Sequence, residues 1–104
     1  MANIQIFITI IFLNLFFFST QADTQFDLGK DVFLNKANCA ACHILADAKS
    51  AGQIGPNLDQ IKPELERVLD AVLMGIGVMP AFEGILTDEE IKSVSYYVFK
   101  STNK

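Results

Sequence analysis

The stretch that decides the fold is Cys39-Ala40-Ala41-Cys42-His43, which brings two thiols and one imidazole together within five residues. The 104-residue chain has no other cysteine and no other histidine. A zinc site of four cysteines and a scaffold of several disulfides are therefore excluded. Thiol or metal chemistry in this chain has to be built around this one run.

Two cysteines separated by two residues, with a histidine directly after the second, are typical of covalent attachment of a c-type haem. This spacing puts both sulfurs beside one edge of the macrocycle, where they form thioethers with its vinyl groups. We predict one haem c attached through Cys39 and Cys42, with His43 as an axial ligand of the iron. Two alternatives stay open: a thioredoxin-type dithiol, which expects a βαβ setting, and a structural disulfide.

The chain beyond residue 22 predicts three helices and no strand. The first helix is expected over about residues 27–38, directly before the cysteine run. The second begins near Pro63 and ends at Gly75, with apolar residues spaced to form one buried face. The third begins at Thr87, where Thr-Asp-Glu-Glu forms a capping box. With residues 44–62 mostly irregular, the predicted fold class is all-α.

The first 22 residues are predicted to be a signal peptide. The segment Ile4–Phe18 consists almost wholly of Ile, Phe and Leu, and it is shorter than the roughly 20 residues of a membrane span. Small residues at Thr20 and Ala22 suit a signal peptidase. Because no Lys or Arg precedes the apolar segment, an uncleaved N-terminal anchor is the alternative. In both cases residues 23–104 form a single domain on the far side of a membrane.

The net charge of the chain limits the classes of partner that it can bind. All eight basic and all twelve acidic residues lie after residue 22, so the domain carries the whole net charge of -4. That balance argues against nucleic acid or an anionic membrane as the main partner. We expect contact with a membrane only through partner proteins or through an uncleaved N-terminal segment.

A second strong axial ligand would favour an electron carrier over a haem enzyme or sensor, and Met74 and Met79 are the candidates. Met74 lies about half a turn away from the apolar face of the second helix and is expected to point to solvent. Met79 precedes Pro80, which holds the local chain extended and could present a thioether to the iron. Met79 is therefore favoured as the ligand, with a role as flexible core filler as the alternative.

Pro56 belongs to a Gly-Pro-Asn-Leu turn shortly after the cysteine run. A ligating histidine usually donates its other ring N–H to a carbonyl or carboxylate, which fixes the ring. The Pro56 carbonyl is a candidate for that acceptor toward His43. An ordinary surface turn is the alternative, and the spacing alone does not separate the two.

These motifs, taken in order, resemble the class I cytochromes c. They are Gly29 with Phe33, the run Cys39–His43, Gly55-Pro56-Asn57-Leu58, Met79-Pro80-Ala81-Phe82, and Leu86–Ile91 with Val94 and Tyr97-Val98. The C-terminal motif, Leu86–Ile91 with Val94 and Tyr97-Val98, is similar to the cytochrome c6 branch. The resemblance implies a compact single-domain cytochrome c fold in which the first and last helices cross, with Gly29 and Phe33 against Tyr97. It also implies Met79 as the sixth iron ligand and Pro56 as the carbonyl partner of His43.

The resemblance implies a monomeric single-electron carrier, not an enzyme. By likeness to cytochrome c6 it would work in the thylakoid lumen, between the cytochrome b6f complex and photosystem I. A haem carrier or subunit of a respiratory chain in a bacterial periplasm is the alternative, as is a small haem enzyme or sensor if Met79 does not ligate. Glu83 and Ile85 depart from the c6 pattern, which usually has Gly and Arg there. Ile76, Val78 and Ile85 are candidates for an apolar docking patch, or equally for the core.

Overall fold

The structure is a computed structural model that describes residues 20–104, with side chains from Asp23 onward. The predicted signal peptide at 1–22 therefore lies outside the described residues, apart from the backbone of its last three, and stays a prediction. The described elements are helix α1 (Thr20–Asp31), a π-helical turn (Val32–Lys36), a 3₁₀ turn (Cys39–Ala41), strands β1 (Ile44–Leu45) and β2 (Ser50–Ala51), and helices α2 (Leu58–Ile61), α3 (Leu65–Met74) and α4 (Asp88–Thr102).

Helices α1 and α4 cross with their backbones in contact at Gly29. A Cβ at this position would lie 2.0 Å from the Ser93 carbonyl oxygen and 2.6 Å from Cβ of Tyr97, so only glycine fits. The rings of Phe26 and Phe33 pack edge-on against the Tyr97 ring, with centroids 4.8 and 5.7 Å away. The crossing implied by the resemblance is present, and it forms the centre of the buried core.

Helix α4 begins as the sequence predicts. The Thr87 hydroxyl accepts a hydrogen bond from the Glu90 amide at 3.1 Å, and the Glu90 carboxylate accepts one from the Thr87 amide at 3.0 Å. This reciprocal capping box satisfies two amides at the start of the helix that have no partner within it. From there the helix buries an apolar face that includes Ile91, Val94 and Val98.

The first helix differs from its prediction at both ends. The α-helix begins at Thr20 and ends at Asp31, and the chain then widens into the π-helical turn, closed by the Ala37 amide donating to the Val32 carbonyl at 2.9 Å. The wider turn keeps the neighbouring side chains of Val32 and Phe33 both buried. This π-helical turn packs against α4, and the spacing of apolar residues in the neighbouring sequence does not predict such a contact.

The segment predicted to be irregular contains a minimal antiparallel ladder, so the prediction of no strand was wrong. Ile44 pairs with Ala51 and Leu45 with Ser50. Two-residue strands are too short to show alternation in the sequence. The following helix α3 begins at Leu65 instead of near Pro63, because Glu64, with extended backbone, takes the N-cap position. The fold nevertheless stays mostly helical, as the all-α prediction requires.

Candidate haem site

The cysteine run forms a tight turn at the edge of the core. Asn38 adopts a left-handed conformation (φ 50°), which turns the chain out of the π-helical turn. The amides of Cys42 and His43 then both donate to the Cys39 carbonyl, at 3.1 and 3.0 Å. The two thiols are thereby placed one turn apart on the same short element, both half-buried and both free.

The environment of Cys39 argues against dithiol chemistry. Burial raises the pKa of the Cys39 thiol to about 11, although a backbone hydrogen bond acts in the opposite direction. A thioredoxin-type pair needs the opposite, a first cysteine whose pKa is lowered so that the nucleophilic thiolate forms. In the region that the structure describes, the cysteine run also lacks the βαβ setting that a thioredoxin-type site expects.

The imidazole of His43 is held by the turn that contains Pro56. Nδ1 of His43 lies 2.8 Å from the Pro56 carbonyl oxygen, a distance at which a protonated Nδ1 donates a hydrogen bond. That tautomer leaves Nε2 without a proton and able to bind a metal. The Gly55 amide donates to the Cys42 carbonyl at 2.7 Å, which ties the turn to the cysteine run. A Cβ on Gly55 would lie 2.5 Å from Cε1 of the imidazole, so the backbone itself forms the wall beside the ring.

Met79 lies in a short turn after α3 and is half-buried, packed against the edge of the core. The amide of Met79 donates to the Ile76 carbonyl at 2.9 Å, and the Ile76 amide donates back to Met79 at 3.2 Å. The Phe82 amide donates to the Val72 carbonyl at 2.9 Å, which fastens the chain beyond the turn to α3. Met74 is 63% exposed, as its position on the helix predicts.

The residues present fit a haem c. Two free thiols on one turn, an imidazole whose Nδ1 is already engaged, and a thioether in a braced turn are the donor types that this group takes. The backbone at Gly52 also packs directly against the run, since a Cβ on Gly52 would lie 2.5 Å from the Ala41 carbonyl oxygen.

One polar cluster was not foreseen from the sequence. The carboxylate of Asp47, in the turn between β1 and β2, accepts hydrogen bonds from the Tyr97 hydroxyl at 2.7 Å and from Lys104 at 2.9 Å. Lys30 forms an ion pair with this carboxylate at 3.2 Å and also donates to the Asp47 backbone carbonyl at 3.2 Å. The Tyr97 hydrogen bond and the two lysines lower the pKa of this carboxyl to about 2, although its partial burial acts in the opposite direction. Its partners lie 17, 50 and 57 residues away along the chain, so no local sequence pattern predicts these contacts.

Comparison with known proteins agrees with this site. Residues 24–98 match the family described as "Cytochrome C oxidase, cbb3-type, subunit III". The cytochrome c6 of Bryopsis maxima is 38% identical over 88 residues, covering 75% of this chain and 93% of that relative. The cytochrome c6 of Leptolyngbya boryana is 40% identical over 76 residues, covering 65% of this chain and 85% of the relative.

A solved structure, the c-type cytochrome SorU from Sinorhizobium meliloti, is 51% identical to this chain with a TM-score of 0.74. The match covers 79% of this chain and 95% of SorU. The chain therefore belongs to the cytochrome c family, and within it resembles both the c6 proteins and SorU.

Membership in this family confirms the fold class, the resemblance to class I cytochromes c, and the cofactor, a covalent haem c with its iron. It also confirms that the protein is an electron carrier and not an enzyme, with transient redox partners. Within residues 20–104, none of the helices is both long and apolar enough to cross a membrane.

Proposed function

We propose that this protein carries single electrons on a haem c that is attached to Cys39 and Cys42, with His43 and Met79 as axial ligands of the iron. The observation that carries the proposal is the 2.8 Å contact between His43 Nδ1 and the Pro56 carbonyl, which orients the imidazole and leaves Nε2 for the iron. When bound, the haem supplies a one-electron iron couple, and methionine with histidine favours a fairly high potential. The protein's part is to keep both ligands in place in either oxidation state.

The ligand assignment is tested with the holoprotein and two matched variants. Met79→Ala should abolish the ferric absorption band in the red that reports an iron–methionine bond, and should lower the midpoint potential by a sizeable part of the ~0.8 V over which axial ligands tune haem. Met74→Ala changes the same side chain at an exposed position and should leave both unchanged. A wild-type protein without the band would support the haem enzyme or sensor. Mass spectrometry that finds free thiols and no added haem would support the dithiol.

We propose that partners dock on an apolar patch formed by Ile76, Val78 and Ile85. These three side chains are between 61% and 88% exposed on the polypeptide and stand outside its buried core, and two of them, Ile76 and Val78, lie in the turn that carries Met79. Exposed Glu83 lies beside the patch in sequence and adds to the acidic balance of the surface. A small patch of this kind suits brief contacts, in which charge biases the choice of partner. Val78→Ser should slow electron transfer to the partner while the midpoint potential stays the same.

We propose the thylakoid lumen as one location, with the cytochrome b6f complex as donor and photosystem I as acceptor. The support is the set of c6 relatives, among them a cytochrome c6 of Chlamydomonas reinhardtii described as chloroplastic, 37% identical over 83 residues. The test is flash-induced oxidation of the reduced holoprotein by isolated photosystem I. A midpoint potential unsuited to reducing photosystem I would remove this role while leaving the electron carrier intact.

A second candidate location is a bacterial periplasm, where the protein would serve a respiratory chain. A specific observation favours it: identity to SorU, from a bacterium, is 51%, against 38% and 40% for the two c6 relatives. The departures at Glu83 and Ile85 from the usual c6 residues point the same way. Failure of photosystem I to oxidise the protein would support this candidate. N-terminal sequencing of the natural protein tests the predicted cleavage, which should give a start near Asp23.

A further inference from the structure

Gly75 ends helix α3 at the point where the Met79 turn folds back against it. Its backbone has φ 73° and ψ 163°, a combination that side-chain-bearing residues essentially never adopt. A Cβ at Gly75 would lie 2.6 Å from the Met79 carbonyl oxygen, 2.8 Å from the Ala81 nitrogen and 2.9 Å from the Pro80 carbonyl carbon. All three are backbone atoms, so no side chain can rotate to make room.

The close approach occurs inside a frame of backbone hydrogen bonds. On one side, the Gly75 amide donates to Ala71 at 2.9 Å and so fixes Gly75 to the end of α3. On the other, the Ile76–Met79 pair closes the turn, and Phe82 is fastened to α3. The backbone of Met79 can therefore move away from Gly75 only if this frame opens.

Two other glycines of the same segment differ from Gly75 in one respect. Gly77 and Gly84 also have positive φ, 57° and 79°, but a Cβ on either would meet no atom within 4 Å. They supply conformational freedom without a close contact. Gly75 alone of the three combines a positive φ with direct contact to the backbone of Met79.

We propose that Gly75 is a positioning residue for the Met79 ligand: the missing side chain lets the Met79–Ala81 backbone lie against the end of α3, which sets where the thioether is presented. This inference rests on the proposed ligation by Met79 and goes beyond it by naming what holds that ligand. A side chain at Gly75 moves the Met79 backbone and weakens its bond to the iron.

The test compares Gly75→Ala with Gly84→Ala, both as holoproteins. Gly84→Ala matches the positive φ and lies outside the Ile76–Met79 turn. Two readouts follow the ligand: the ferric band in the red, and the affinity for added imidazole, which competes with Met79 for the iron. Because a ligand binds more tightly when its competent state is more populated, Gly75→Ala should lower the Kd for imidazole by about ten-fold or more, with loss of the band. The control should stay within about two-fold of wild type.

Gly75→Ala with the band and imidazole affinity of the Gly84→Ala control would overturn the proposal. So would failure of Gly75→Ala to fold, judged by far-UV circular dichroism, while Met79→Ala and Gly84→Ala fold, since the role of Gly75 would then not act through the ligand. A wild-type protein that lacks the band is a different result, because it refutes the ligation by Met79 itself.

Discussion

The carboxylate of Asp47 joins three parts of the chain, and its replacement by Asn isolates the contribution of its charge. Tyr97 of α4 and Lys104 beyond the end of α4 donate hydrogen bonds to it, and Lys30 of α1 forms an ion pair with it. An amide oxygen can still accept the Tyr97 hydroxyl at 2.7 Å, so Asp47→Asn mainly removes the negative charge. The substitution therefore measures how much that charge contributes to the free energy of unfolding by linking α1 and α4 to the turn between β1 and β2.

The magnitude follows from the pKa. A lowering of the Asp47 pKa from 3.8 to about 2, chiefly by the Tyr97 hydrogen bond, corresponds to about 2.4 kcal/mol in the free energy of unfolding. The side chains of Lys30 and Lys104 are 39% and 67% exposed, so solvent screening reduces this to about 1–2 kcal/mol. Since the pKa is lower in the folded state, the contribution is complete above about pH 5 and is lost as the pH falls toward 2.

The assay is urea unfolding of the holoprotein, followed by far-UV circular dichroism between about pH 7 and about pH 2.5. Wild type should be more stable than Asp47→Asn by about 1–2 kcal/mol at neutral pH, and the difference should shrink through the acid range. Asp70→Asn, which removes an exposed carboxylate from α3, controls for the general effect of net charge. A difference between wild type and Asp47→Asn that is the same at pH 7 and pH 2.5 would refute the reasoning.

Three further substitutions test other contacts. Gly29→Ala places a Cβ 2.0 Å from the Ser93 carbonyl and should cost more than about 3 kcal/mol of unfolding free energy in a urea titration, because the two helices must separate; near-wild-type stability would contradict the crossing. Thr87→Ala should lower the free energy of unfolding by about 1 kcal/mol in the same measurement, because the helix loses its N-cap. An unchanged free energy of unfolding would mean that the hydrogen bond from the Glu90 amide to the Thr87 hydroxyl does not stabilise the helix. Gly55→Ala should displace the imidazole beside it and raise the midpoint potential, since the iron ligand loses its hydrogen bond; an unchanged potential in redox titration would argue against that bond.

Features carried by neighbouring residues could be predicted from the sequence, whereas features set by distant contacts could not. The cap at Thr87 and the exposed position of Met74 follow from local spacing, and the structure has both. The helix crossing at Gly29 was expected only from the family resemblance, because the residues next to Gly29 in the sequence do not indicate which helix it contacts. The π-helical turn at Val32–Lys36 depends on contacts with a helix more than fifty residues away, and the cluster around Asp47 joins residues 17, 50 and 57 positions away along the chain.

The glycines show most clearly what the structure adds to the sequence. In the sequence alone, four glycines are equivalent signals of a turn: Gly55, Gly75, Gly77 and Gly84. In the structure the last two face open space, while Gly55 touches the His43 ring and Gly75 touches the backbone of the Met79 turn. Each proposed axial ligand thus rests against a position where a side chain is excluded. Close-packed regions of a protein have low compressibility, so ligands held against backbone in this way should keep their positions as the iron changes oxidation state.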